Sequence, residues 1–300
     1  MPEFSIVVPT YNRANVLGTT LSSVLDQTFS DFEILVIDDG STDNSKAIVD
    51  SLNDPRIKYF HIENSGGPAT PRNFGMRIAR AEWIAFLDSD DLWYPPKLEI
   101  VLNSIKKCAD VDAISNDELV RDSVSGRTRI LRHGPVTEDF YKTLLIEGNR
   151  CSTSAMTVRK SFLYKHNLSF DVSSDLVIVE DYDFWMLLAS YGARFRFLRS
   201  ILGEYVLGNS NISGNIIKSR KNLMHMLEKH VFHVQTFEPD RDKLWREIQA
   251  STGVSHAVAD LRGFRLTSFL LNLFRAIFLS PCGVLRWIRL RFLIRRGMYR

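Results

Sequence analysis

Short apolar runs alternate, through the first third of the chain, with segments whose apolar residues recur at helical spacing. Residues 4–9 read as a buried first strand that proline stops. Residues 32–37, 57–62 and 84–87 read as strands too, being apolar or β-branched and too short for helices. Between them, Leu17, Leu21, Val24 and Leu25 mark one face of a helix with Asn15 at its N-cap. Asp43 is placed to cap a second helix reaching about Leu52. Residues 71–81 predict a third, with Pro68 and Pro71 tolerable only at its start. Strand–helix alternation of this kind predicts an α/β fold with a mostly parallel sheet flanked by helices.

Further along, the pattern is less regular. Residues 96–107 read as a helix and 111–115 as a strand. Residues 117–135 are charged, Arg-rich and aperiodic, which predicts a mobile loop. Thr137 is placed to cap a helix ending near Glu147, residues 151–158 read as a strand, and a helix starts at Lys160. An apolar-faced helix follows Glu180-Asp181, two short strands cover 195–198 and 201–206, and residues 215–260 read as helices.

Each early strand ends in polar residues: Tyr11/Asn12, Asp38/Asp39 and Asp88/Asp90. In an open α/β sheet these positions share the rim where ligands bind. The run Trp83-Ile84-Ala85-Phe86-Leu87-Asp88-Ser89-Asp90-Asp91 puts three carboxylates within four residues. Such acids repel one another unless a cation neutralises them, and hard divalent ions suit carboxylates. An acidic turn capping the next helix is the plainer explanation for that stretch alone. The chain has no G-x-G-x-x-G after its first strand and no P-loop, so metal-mediated phosphate binding is the remaining mode.

Charge is segregated. Residues 261–300 carry nine arginines and no acid, which leaves 29 basic against 35 acidic residues in 1–260. In 264–300 the arginines interleave with Phe, Leu, Ile and Trp, and Pro281-Cys282-Gly283 breaks the run. Two amphipathic helices lying on an anionic membrane surface are expected, in preference to a nucleic-acid patch or packing on the body or a partner subunit. No run of 18 uninterrupted apolar residues occurs, so a conventional span is not expected. The three dispersed cysteines form no CxxC, and the N-terminus has no basic-then-apolar leader. Both fit a cytoplasmic chain, peripheral on the inner face of the membrane.

The combined motifs carry a resemblance. Residues 4–13 and 38–43, then Gly66-Gly67-Pro68 with Arg72-Asn73 and Gly75, then Asp88-Ser89-Asp90-Asp91, then Glu180-Asp181 with Trp185, resemble in that order the family 2 glycosyltransferases. The resemblance covers residues 4–207. It implies a GT-A fold: a Rossmann-like nucleotide-sugar half over 1–115 and an acceptor half over 116–210. A helical extension over 211–262 and the membrane-associating tail over 263–300 would follow. It implies inverting transfer from a nucleoside-diphosphate sugar, UDP-linked by default, to a glycan or lipid-linked acceptor, assisted by Mg²⁺ or Mn²⁺. By motif, Pro9, Tyr11 and Asp39 would contact base and ribose, and Arg72 would be a basic donor contact. Asp88 would face the ribose and the metal-bound diphosphate, Asp90 would ligate the metal, and Asp181 would be the catalytic base.

Processive relatives carry Gln-x-x-Arg-Trp; here Gly283-Val284-Leu285 precede Arg286-Trp287, which favours a single addition. Trp93 and Trp185 are candidates for the acceptor side or the core. A nucleotidyltransferase and a non-catalytic nucleotide-sugar-binding protein are the competing classes. The first expects a Gly-rich basic loop after the first strand, and the second does not need intact Asp39, Asp88, Asp90 and Asp181.

Overall fold

The computed structural model describes residues 1–108, 110–208 and 216–295. The chain divides into two compact units, Met1–Glu138 with Arg150–Ser219, and Asp139–Asn149 with Arg220–Arg300.

In the first unit, β1 (Phe4–Thr10), β2 (Phe32–Asp38), β3 (Ile57–His61) and β4 (Trp83–Phe86) lie parallel in the order β3-β2-β1-β4. β1 and β2 are buried along their whole length, as strands covered on both faces must be. α1 (Leu17–Leu25), α2 (Ser45–Ser51) and α3 (Ala69–Ile78) make the crossovers. Leu17, Leu21 and Val24 of α1 pack with Phe4, Ile6, Val8, Ile34 and Val36 in one apolar core. The N-cap position of α1 is Val16 rather than Asn15, with no side-chain cap. The entering backbone is tied elsewhere: Asp43 accepts the Ala14 N–H at 2.9 Å, and Asn12 Oδ1 accepts the Thr42 N–H at 2.8 Å. Asp43 also accepts the Ser45 N–H that opens α2, one position before that helix's N-cap residue. α3 lies so close on β1 that a Cβ at Gly75 would fall 2.4 Å from Val7 Cγ1.

The chain continues through β5 (Leu92–Trp93), α4 (Lys97–Lys107), β6 (Ala113–Asp122), β7 (Thr128–Leu131), α5 (Phe140–Glu147), β8 (Thr157–Arg159), α6 (Lys160–Lys165), α7 (Glu180–Ser190) and β9 (Phe195–Leu207). Of these, α5 belongs to the second unit. The sheet extends as β4-β8-β6-β9-β5, with β7 on β6. β8 runs antiparallel to β4 and β6, while β6 and β9 are parallel. The α/β sheet flanked by helices is as expected; its parallel strands are the first four and the β6–β9 pair, and β5, β7 and β8 run antiparallel to their neighbours.

Residues 117–135 are not a mobile loop. β6 runs on to Asp122, turns at Gly126 with φ 68°, and returns as β7. Its buried acids have partners, which is why a strand survives there: Arg132 and Arg199 lie 3.1 and 3.6 Å from Asp117, and His133 Nε2 lies 3.0 Å from Glu118. The two late strands are one strand, β9, in which bulges opposite Asn116–Leu119 absorb the break at Arg199-Ser200. Residues 151–158 are mostly not strand: a 3₁₀ turn, Thr153–Ala155, precedes the short β8. The cap of α5 is Asp139, not Thr137, and it accepts the Lys142 N–H.

The second unit is helical. α8 (Ile216–Lys229) runs into a π-helical turn, His230–Val234, followed by α9 (Arg241–Arg262), α10 (Leu266–Leu279) and α11 (Pro281–Arg295). Ala250 and Val254 of α9 pack against Ala276 of α10 and Val284 and Trp287 of α11. α10 and α11 meet at a 112° bend, and among the described residues no single helix is long and apolar enough to cross a membrane. Pro281 opens α11, so the break falls at Ser280, just before the expected turn. Only α10 has a clean amphipathic pattern; arginine and apolar positions run all round α11. Arg296 and Arg300 lie outside the described residues.

Candidate active site

The parallel register sets Thr10 opposite Asp38 and Val7 opposite Phe86, so the polar ends of β1, β2 and β4 share one rim. Tyr11 stands there 48% exposed, whereas Pro9 is buried in β1. Asp38 accepts from Ser41 N–H and the Tyr59 hydroxyl, a structural turn. Asp39 is buried, and its Oδ1 accepts the Ser65 N–H and hydroxyl at 2.9 and 2.8 Å. Burial and the neighbouring Asp38 charge push its carboxyl up, against those hydrogen bonds.

Asp88, Asp90 and Asp91, on the loop after β4, have three different environments. Asp88 and Asp90 remain open, with side chains 30% and 20% exposed. Asp90 sits 3.7 Å from Arg13, yet burial and the Asp88 charge still push it up. Asp91 is buried; its oxygens accept the Ser154 hydroxyl at 2.5 Å and the Val206 N–H at 2.9 Å, so it holds the loop and does not cap α4. Burial and the crowd of acids lift its pKa well above the carboxylate range.

α7 begins at Glu180, with three acids in its first turn, where the helix dipole favours them. Behind it, Phe170 stacks on Phe184 at 4.0 Å, and Phe86 and Trp185 pack edge-on. Trp185 and Trp93 are therefore core residues. This packing brings α7 to the loop after β4, and Arg72 of α3 joins them. Its guanidinium reaches Glu180 at 2.7 Å and Asp88 at 2.6 Å. Burial works against the Arg72 charge, but Asp88 and Glu180 raise its pKa above the usual value. Arg72 thus bridges two acids, and its Nε and Glu180 Oε2 are buried without hydrogen-bond partners among the described residues. A cleft lined by Gly67, Pro68, Val172 and Glu180 opens beside them.

Asp181 is half-buried; its Oδ1 accepts the Tyr182 N–H at 2.7 Å and its Oδ2 the Thr153 hydroxyl at 3.2 Å. Burial first, then the Glu180 charge, push its pKa up to about 7, with Arg72 opposing. A carboxylate held near neutrality is suited to taking a proton at physiological pH.

Among the described residues no three His, Cys, Asp or Glu side chains gather as a metal cage. Asp88 and Asp90 nonetheless form a fitting donor pair: open, mutually repelling oxygens short of positive charge. A hard divalent ion bound by one or two carboxylates completes its shell with substrate phosphates. Sequence reading assigned no role to Arg13, Thr153, Ser154 or Glu180. Arg13 follows Tyr11-Asn12 and was within reach of inspection; Thr153 and Ser154 lie on a short polar turn with no motif.

Known proteins resemble this chain in sequence and in fold. Residues 5–166 match the family model described as Glycosyl transferase family 2. An uncharacterized glycosyltransferase of Rickettsia conorii is 49% identical over 106 residues, 35% of this chain and 17% of that protein, so the chain spans under a fifth of its length. WfgD of Escherichia coli, a UDP-Glc:alpha-D-GlcNAc-diphosphoundecaprenol beta-1,3-glucosyltransferase, is 32% identical over 225 residues, 74% of this chain and 84% of that protein. S. aureus TarS 1–349 in complex with UDP-GlcNAc shares the fold, with a TM-score of 0.64 at 18% identity over 91% of this chain and 90% of that one. With its acidic motifs assembled in order on one rim of such a sheet, the chain belongs to glycosyl transferase family 2.

Proposed function

We propose that the protein transfers a single sugar, with inversion, from a UDP-sugar to a glycan carried on a lipid diphosphate. The observation that carries this reading is the Arg72 bridge, which gathers Asp88 and Glu180-Asp181, separated by over ninety residues, around one guanidinium. Support for the donor and the acceptor comes from what WfgD acts on, and UDP-glucose is the first donor to test. On this reading the exposed Tyr11 ring stacks on the base, with Pro9 and Asp39 beside the ribose. Asp88 and Asp90 would hold Mg²⁺ or Mn²⁺ together with the donor diphosphate. When bound, that ion supplies Lewis-acid stabilisation of the leaving diphosphate. Arg72 adds fixed positive charge and holds Asp88 against α7. Asp181 accepts the proton of the acceptor hydroxyl as its oxygen bonds to the anomeric carbon and the bond to diphosphate breaks.

Asp181→Asn is expected to lower the transfer rate about 10²–10⁴-fold with donor KM little changed. In the wild type the rate should climb with pH through about 7, because the carboxylate form is the base. Equal turnover by wild type and Asp181→Asn, with acceptor present, would refute the assignment.

The same proposal places the second unit on an anionic membrane surface at the cytoplasmic face. α10 turns Leu266, Leu270, Leu271, Ile277, Phe274 (68% exposed) and Phe278 (92% exposed) outward. Arg265 and Arg286 are tied to Asp260 and Glu247, but Arg262, Arg275 and Arg289 have no acidic partner among the described residues. Apolar side chains flanked by unneutralised arginines suit the headgroup boundary of an anionic bilayer. Phe274→Glu with Phe278→Glu, which leaves the packing on α9 intact, should move the protein from membrane to supernatant on fractionation. Unchanged membrane recovery would count against this placement.

A further inference from the structure

Thr153 and Ser154 are neighbours on one 3₁₀ turn, yet they serve the two sides of the site. The Ser154 hydroxyl donates to Asp91 at 2.5 Å and accepts the Asp88 N–H at 3.0 Å. The Ser154 carbonyl accepts Trp93 Nε1 at 2.9 Å and Lys97 Nζ at 3.0 Å. One buried residue thereby fixes the first and last acids of the metal-side loop. The next residue back, Thr153, donates to Asp181 Oδ2 at 3.2 Å. The turn is closed by the Ala155 N–H to Ser152 and the Met156 N–H to Thr153, both at 3.0 Å. It is stitched to β4 by the Phe86 N–H, which donates to the Met156 carbonyl at 3.1 Å. Both residues are almost fully buried. Loop, turn and strand end therefore form one hydrogen-bonded body.

We propose that this turn sets the gap between the leaving-group side and the base, with Ser154 positioning the Asp88–Asp91 loop and Thr153 positioning Asp181. The inference rests on the reading of Asp181 as the base. Asp181 Oδ1 accepts from the Tyr182 N–H and Oδ2 from the Thr153 hydroxyl, which fixes the plane of the carboxyl. The charged groups acting on it are Glu180 on its own helix, Asp88 after β4 and Arg72 on α3, with the Cys151 thiol close to the turn. With two acids against one guanidinium, loss of the Thr153 hydroxyl removes a donor that favours the charged carboxylate. Proton uptake then begins at higher pH.

The test uses full-length protein with UDP-glucose, Mn²⁺ and a GlcNAc-diphospho-lipid acceptor, and measures kcat and KM against pH. Thr153→Val is expected to move the acid limb of kcat up by about half a pH unit and so to lower kcat at pH 6.5 about threefold, with donor KM unchanged. Thr153→Ser should restore both. Ser154→Ala should raise donor KM and the Mn²⁺ concentration for half-maximal rate without moving the acid limb. A wild-type pH profile in Thr153→Val, or no rescue by Thr153→Ser, overturns the proposal, as does a Ser154→Ala variant with unaltered KM and Mn²⁺ requirement. Should Ser154→Ala fail to fold, the two Thr153 variants decide. Isotope-edited infrared titration of Asp181 in wild type and Thr153→Val reads the same shift without donor. An unmoved midpoint there overturns the role of Thr153, whereas Asp181→Asn turnover separately decides whether Asp181 is the base.

Discussion

Two groups of acids, one around Arg72 and one in β6, look alike in composition and differ in what surrounds them. Around Arg72, the carboxylates Asp88, Asp90, Asp91, Glu180 and Asp181 share two guanidiniums, Arg72 and Arg13. The result is acids pushed up in pKa at Asp90, Asp91 and Asp181. In β6, Asp117 is enclosed by Arg132, Arg199 and the His133 N–H, and Glu118 pairs with the His133 ring. The neighbouring Asn116 accepts from Lys97 Nζ at 2.6 Å. A satisfied acid cluster holds two strands together. An acid cluster short of positive charge is held open by its scaffold, and that shortage is what a cationic ligand complex can fill.

The contrast gives two substitutions with opposite signatures. The larger effect is expected at Asp90→Asn, which should weaken Mn²⁺ binding in the presence of UDP by about 100-fold or more. Because it removes a repelled charge, it should leave the thermal midpoint unchanged or higher. Mn²⁺ titration and a melting curve check both halves. The smaller effect is expected at Asp117→Asn, which should cost about 1–3 kcal/mol in urea unfolding by leaving the pairing incomplete. Donor and Mn²⁺ binding of the folded protein should not change. If Asp90→Asn unfolds the protein, or Asp117→Asn abolishes Mn²⁺ binding, the distinction between the clusters is lost.

Legibility in the sequence follows the same division. The strands 4–9, 32–37 and 84–87 declare themselves because they are buried on both faces and apolar but for Ser5 and Glu33, within a residue or two of the observed ends. The acids of the second and third of these are visible because they follow the strand directly. β6 is hidden because five of its ten residues are Ser, Asn, Asp or Glu, and partners from α4, β9 and the segment just after β7 make Asn116, Asp117 and Glu118 tolerable. Those partners are non-local, and no window along the chain contains them. Arg72 was expected at the donor; the structure places its guanidinium between Asp88 and Glu180, a contact 108 residues long. Thr153 and Ser154 give no signal at all, since a polar dipeptide acquires meaning only from what the fold sets above and below it.

Gly75 bears on how such a site can vary. Its missing side chain lets α3 settle onto Val7, and the helix that settles is the one that carries Arg72. A single methyl group there must displace either the helix or the strand beneath it. The reach from Arg72 to Asp88 is therefore tied to how closely α3 settles on β1. On the proposed reading, new donor preferences are expected to arise in the loops at the rim, around Tyr11 and Ser65, where side chains can lengthen or shorten without moving the frame. A randomised library would be expected to accept many residues at position 65 and to return glycine at position 75.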